Sequence, residues 1–202
     1  MQLITEIINR TKFKEDDLIA VYPYGSRVYG NARKNSDYDF IVVTDKKTNE
    51  QYSDKLININ FYTAKEHQER LDAHEISALE CYFLPKIDVI LEKRDFNFKL
   101  NLVVLRHSLS AKSSNSWVKA KKKLTVAQDY DLDLGRKSLF HAMRIVEFGR
   151  QIAVNGKIVD YAACNPLFEE IMNCYTWDQM FDEYKERYNT MCSIFRIHAP
   201  KQ

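Results

Sequence analysis

Four cysteines, the absence of any apolar run of membrane-spanning length, and the absence of repeats or low-complexity stretches set the first limits on this 202-residue sequence. Cys81, Cys164, Cys174 and Cys192 show no C-x-x-C spacing and fall in apolar helical contexts. They read as reduced core thiols of a cytoplasmic protein, not as a zinc site. The opening MQLITEIINR carries acidic and polar residues where a signal peptide needs an unbroken apolar core, and nothing else suggests a membrane. What is present points to an ordered globular protein: 45% hydrophobic and 12% aromatic residues. The net charge of +2 is unevenly spread, since residues 106–157 hold 11 Lys and Arg against 4 Asp and Glu. The basic part of the chain is its second half.

The chain turns on the stretch from Val21 to Val43, VYPYGSRVYGNARKNSDYDFIVV. Two β-branched and aromatic runs, Ile19 to Tyr24 and Phe40 to Val43, read as strands. Between them lie a Gly25-Ser26 turn and the pair Asp37 and Asp39. On a strand these two carboxylates point the same way, about 7 Å apart along the chain. Like charges so placed repel each other unless a cation lies between them. A hard divalent ion such as Mg²⁺ is the natural occupant, held by carboxylates and substrate phosphates. Gly25 lets backbone approach a ligand closely, and Ser26 offers a hydroxyl and an N–H where a helix should begin, a setting for phosphate oxygens. Arg27 and Arg33 add positive charge nearby.

Elsewhere the spacing predicts a helix over residues 2–10 through Leu3, Ile4, Ile7 and Ile8, a polar surface loop over 45–54, and a third strand over Leu56 to Tyr62. A capping box at Thr63–Glu66 starts a helix running to about Ala73, Ile76 to Leu84 is helical up to Pro85, and Ile87 to Glu92 is a fourth strand. From Phe96 onward helical spacing dominates: 100–109, 117–126, 134–155, 166–173 and 177–195, with a polar loop over 108–116 and Gly156 as a helix stop.

The string G-S, ten residues, D-x-D resembles the signature of the DNA polymerase β-type nucleotidyltransferase superfamily. YGSRVYGNARKNSDYDFIVV is similar to the minimal nucleotidyltransferases, and among them to the RNA-ligase-associated predicted nucleotidyltransferases. Residues 59–63, 78–83 and 137–144 extend the likeness. The resemblance implies an α+β architecture: a mixed-sheet nucleotidyltransferase domain over 1–95 and an all-α helical bundle over 99–198. It implies transfer of a nucleoside monophosphate from an NTP such as ATP to a hydroxyl, with Mg²⁺ or Mn²⁺ as cofactor and an RNA end as acceptor. Asp37 and Asp39 then hold metal, while Gly25, Ser26 and Arg27 meet the nucleotide. Lys137, His141 and Arg144, spaced with Gln151 along one helix face, either grip the triphosphate or an RNA backbone or form an ordinary solvated face.

The family places a third carboxylate on the strand over 56–62, and this sequence has Asn58 there. An asparagine ligates only through a neutral oxygen and takes no proton. Asp54, Glu80 and Asp88 are the candidate substitutes, none in the expected place, and read as surface or helix-face groups. Two further readings follow: a degenerate module that binds nucleotide or RNA without turnover, or a partner-binding protein of the toxin–antitoxin kind. Lys119, Lys121, Lys122 and Lys123 beside Trp117 read either as a nucleic-acid patch or as a solvated basic helix.

Overall fold

The computed structural model describes residues 2–11, 13–46 and 51–201, with the side chains of Gln2 and Leu3 outside that description. Contacts divide the chain into two units, Met1–Ala73 with Ser77–Lys99, and His74–Ile76 with Leu100–Gln202. No described helix is long and apolar enough to cross a membrane.

The first unit is a five-stranded mixed sheet in the order β3-β4-β2-β1-β5. Its strands are β1 (Leu18–Tyr24), β2 (Tyr38–Thr44), β3 (Gln51–Ser53), β4 (Ile57–Thr63) and β5 (Leu91–Glu92). β2 runs parallel to β4, and the other pairings are antiparallel. Helix α1 (Gln2–Arg10) puts Ile7 into a core with Phe13, Leu18, Val21, Phe40, Val42, Ile57, Ile59 and Phe61. The opposite face buries Tyr22, Ile41 and Val43, and helix α3 (Ala64–Asp72) stacks His67 on Tyr22 at 5.8 Å. Burial on both faces is why β1 and β2 read as unbroken apolar runs instead of alternating ones. Thr63 and Glu66 form the expected capping box of α3. α2 (Ser26–Tyr29) is a single turn, and α4 (Ile76–Tyr82) stops before Pro85.

Two expectations for this unit need correction. The stretch 45–54 is not all loop: Gln51–Ser53 adds an edge strand to β4, while its middle, 47–50, lies outside the described residues. The expected fourth strand shrinks to Leu91–Glu92, because Pro85 to Asp88 closes a turn in which Asp88 N–H donates to Pro85 O at 2.9 Å.

The second unit is helical: α5 (Leu102–Thr125), α6 (Leu132–Asn155), α7 (Asn165–Met172) and α8 (Trp177–His198). α5 runs unbroken through the segment expected to be a loop. Two of its serines, Ser113 and Ser116, face inward; Ser113 is fully buried, donates to Ala142 O at 2.8 Å and meets Tyr188 Oη at 2.8 Å. Ser116 bonds back to Lys112 O at 3.0 Å. Buried serines satisfied in this way continue a helix that exposed ones would weaken. Trp117 stacks on Tyr188 at 4.4 Å, and Gly156 ends α6 in the left-handed conformation. Cys81, Cys164 and Cys174 are buried, Cys192 is half-buried, and all four are free.

Candidate active site

In-register pairing of β2 with β4 sets Asn58 directly beside Asp39, and β3 sets Ser53 beside Asn58. On the other flank Tyr24 of β1 pairs with Asp39. A row Ser53–Asn58–Asp39–Tyr24 thus crosses the sheet, with Asp37 at the entrance to β2. The amide nitrogen of Asn58 donates to Asp39 Oδ1 at 3.2 Å and, in a very short bond, to Asp37 Oδ2. Its oxygen is turned the other way and accepts from Ser53 Oγ at 2.5 Å. One amide therefore bridges both carboxylates, which are half-buried and share one side of the sheet end.

Burial is the main cause that pushes the Asp39 carboxyl up from its usual 3.8. The Asn58 bond pulls it down, and the Asp37 charge pushes it up again. A carboxyl raised in the folded chain keeps its proton longer there than when unfolded. The folded state then binds more protons, and stability falls as pH climbs from 3.8 through the raised value. With divalent cations removed, Asp39→Asn should melt above the wild type at pH 7, the gap closing below pH 3.8 where Asp39 is protonated in both states. Equal melting temperatures at pH 7 would mean that the ionised pair carries no cost.

Gly25 precedes α2 with φ 78° and ψ −156°. A Cβ at this position would run into the Asp39 carboxylate, its Cγ lying 3.0 Å away. The glycine therefore lets the turn lie directly against the acid pair. Arg27, expected to meet the nucleotide, spends its guanidinium on the chain itself. Nε donates to Asp37 O at 3.2 Å and Nη2 to Ser36 O at 2.6 Å, and the group lies 3.7 Å over the Tyr38 ring. It ties α2 to the residue that carries one of the acids.

The remaining expected site residues lie on α6 in the helical unit. Lys137 is exposed and ion-paired with Asp133 at 2.7 Å. His141 Nδ1 meets Arg144 Nη2 at 2.8 Å, and burial, then the charges of Arg144, Lys112 and Lys119, push the imidazole well below its usual range. Arg144 and Gln151 are buried, and Gln151 clamps Val159 and Asp160. A plain solvated face is thus ruled out for this stripe, only Lys137 being open.

Ser53 is the residue that sequence reasoning missed, since a three-residue edge strand inside a polar stretch leaves no periodic signal. The alternative carboxylates stand apart. Asp54 takes the Leu56 and Ile57 N–H groups and pairs with Arg10, Glu80 is buried and accepts from Tyr29 Oη at 2.8 Å, and Asp88 is exposed. Among the described residues no three His, Cys, Asp or Glu side chains converge as a metal-binding group. Two carboxylates held on one side, against a turn so close that only a glycine fits, suit a hard divalent ion that would complete its shell with phosphate and water.

No curated protein matches the chain in sequence. In fold it is similar to the spectinomycin adenyltransferase AAD(9) from Enterococcus faecialis, whose crystal structure holds ATP and spectinomycin. The TM-score is 0.50 at 14% identity, over 100% of this chain and 90% of that one. Residues 4–97 match the family model described as "Nucleotidyltransferase domain", so the mixed-sheet part of this chain has the nucleotidyltransferase fold and is followed by a helical part.

Proposed function

We propose that this protein moves a nucleoside monophosphate from an NTP to a hydroxyl acceptor with release of pyrophosphate. The observation that carries the reading is the acid pair Asp37 and Asp39, set against the Gly25–Ser26 turn within a nucleotidyltransferase fold. The acceptor oxygen bonds to the α-phosphorus, the bond from that phosphorus to the bridging oxygen breaks, and pyrophosphate leaves with the electron pair. The hydroxyl proton goes to solvent. Asp37 and Asp39 would hold Mg²⁺ or Mn²⁺, which supplies charge neutralisation on the phosphates as they rearrange. Gly25 and Ser26 line the approach of the triphosphate, and Arg27 fixes the Asp37 backbone. ATP is the first nucleotide to test, since the structural neighbour was solved with it. The likeness to RNA-ligase-associated relatives supports an RNA end as acceptor, and free thiols suit the cytoplasm. Pyrophosphate release from each of the four NTPs with Mg²⁺ or Mn²⁺, with the Asp37→Ala/Asp39→Ala double variant as blank, tests the reading. No release above that blank with any NTP and RNA acceptor would reject it.

Asn58 favours a second reading, a module that binds nucleotide or RNA without turnover. Here the helical unit's basic residues matter, and the structure narrows them. Lys119, Lys121 and Lys122 are exposed, but Lys122 and the half-buried Lys123 reach Asp129 at 2.6 and 3.8 Å. If the patch binds single-stranded RNA, Lys119→Ala and Lys121→Ala should each flatten the slope of log affinity against log salt by about 0.7. Lys122→Ala should change it less. RNA that fails to bind at low salt would leave the patch a solvated face.

A further inference from the structure

We infer that this site takes one divalent cation, not a pair, because the Asn58 amide stands where a second cation would need an anionic ligand. The inference rests on the nucleotidyl-transfer reading and adds the metal count to it. An amide nitrogen has no lone pair to give, since it is delocalised into the carbonyl, so the group that Asn58 turns toward Asp37 and Asp39 is a donor of hydrogen bonds and not a ligand. Its oxygen, the only atom able to ligate, faces Ser53 Oγ at 2.5 Å.

Turning the amide over would bring that oxygen against two carboxylates. It would forfeit two charge-assisted hydrogen bonds and only reverse the bond to Ser53, the amide nitrogen then donating to the hydroxyl. Ser53 is therefore a positioning residue for the amide, delivered by the cross-strand pair Ser53↔Asn58. The protein's own charges give the same count. The two carboxylates balance one divalent ion, and Asp54, Glu80 and Asp88 are engaged or placed elsewhere, as described above. Beyond Asp37 and Asp39, the protein offers a second ion only neutral oxygens here, those of Ser53 and Asn58.

The test counts metals directly. Crystals of the whole chain grown with Mn²⁺ and α,β-methylene-ATP are measured by anomalous scattering, for the wild type and for Asn58→Asp. The expected result is one manganese at Asp37 and Asp39 in the wild type, and two about 3.5–4 Å apart in Asn58→Asp, where the added carboxylate supplies the missing charge. The same variants in solution should show an uncoupled Mn²⁺ electron-spin spectrum for the wild type and an exchange-coupled one for Asn58→Asp. Two ions in the wild type would overturn the inference while leaving nucleotidyl transfer intact. One ion in a correctly folded Asn58→Asp would show that charge at position 58 does not set the count, and would overturn it as well. Neither nucleotide nor metal at Asp37 and Asp39 in either form would sink the nucleotidyl-transfer reading, and the inference with it. If Asn58→Asp does not fold, the wild-type count decides alone.

Discussion

Asp39→Asn should lower the affinity for Mg²⁺–nucleotide by about a hundredfold or more, with the fold intact. Removing even a partner of a metal ligand commonly costs ten- to a hundredfold in metal affinity, and Asp39 is one of two charged groups available to the ion. The substitution keeps the shape and leaves an amide oxygen for Asn58 to donate to, so the row Ser53–Asn58–Asp39–Tyr24 survives without its charge. Titration calorimetry with Mg²⁺ and a non-hydrolysable ATP analogue measures it. One variant should move two readouts in opposite directions: a higher melting temperature without divalent ions, chiefly from relief of the partly desolvated Asp39 charge and then of its repulsion by Asp37, and weaker ligand binding with them. Unchanged affinity would take the metal away from Asp39, and the assignment of Asp37 would fall with it.

Much of this arrangement is legible in the sequence, and the reason is geometric. Strands announce themselves by β-branched runs, and the D-x-D spacing places two carboxylates on one side whatever the rest of the chain does. Asn58 is expected beside them only through the family resemblance, which puts a third ligand on the strand over 56–62, and its register with Asp39 comes from the structure. Other features had no such signal. Ser53 sits in a strand too short to show alternation, and its role exists only through the pairing with Asn58. The serines of α5 look like loop residues in sequence, yet Ser113 becomes helical because Ala142 and Tyr188 supply its partners from other helices. The stripe Lys137, His141, Arg144 and Gln151 was visible as a helix face, but periodicity alone does not tell a buried polar face from a wet one. Arg27 likewise reads as a free cation, and only the fold shows its guanidinium closing on Ser36 and Asp37 carbonyls.

Gly25→Ala should both destabilise the protein and remove nucleotide binding, through two effects that a second glycine can separate. The first is backbone strain. A φ of 78° with ψ of −156° is a conformation essentially reserved for glycine, costing other residues about 1–3 kcal/mol. The second is collision, since the added methyl would enter the Asp39 carboxylate, with its Cγ 3.0 Å and its Cβ 3.2 Å away. Something must shift, and what shifts is either the turn proposed to meet the phosphates or the carboxylate proposed to hold the ion. Gly156 supplies the control: it also has positive φ, at 72°, but a Cβ there meets nothing within 4 Å. Gly156→Ala should therefore show the strain alone, a loss of about 1–2 kcal/mol and a melting temperature lower by a few degrees. Gly25→Ala should lose more than that, and the excess should shrink in an Asp39→Ala background, where the carboxylate is gone and only the Cβ at 3.2 Å remains. Calorimetric melting of the four variants without divalent ions measures the coupling, and binding of the Mg²⁺–ATP analogue to Gly25→Ala measures the functional part. If Gly25→Ala melts no lower than Gly156→Ala and still binds nucleotide as the wild type does, the turn does not bear on Asp39, and the phosphate-binding role of Gly25 and Ser26 has to be given up.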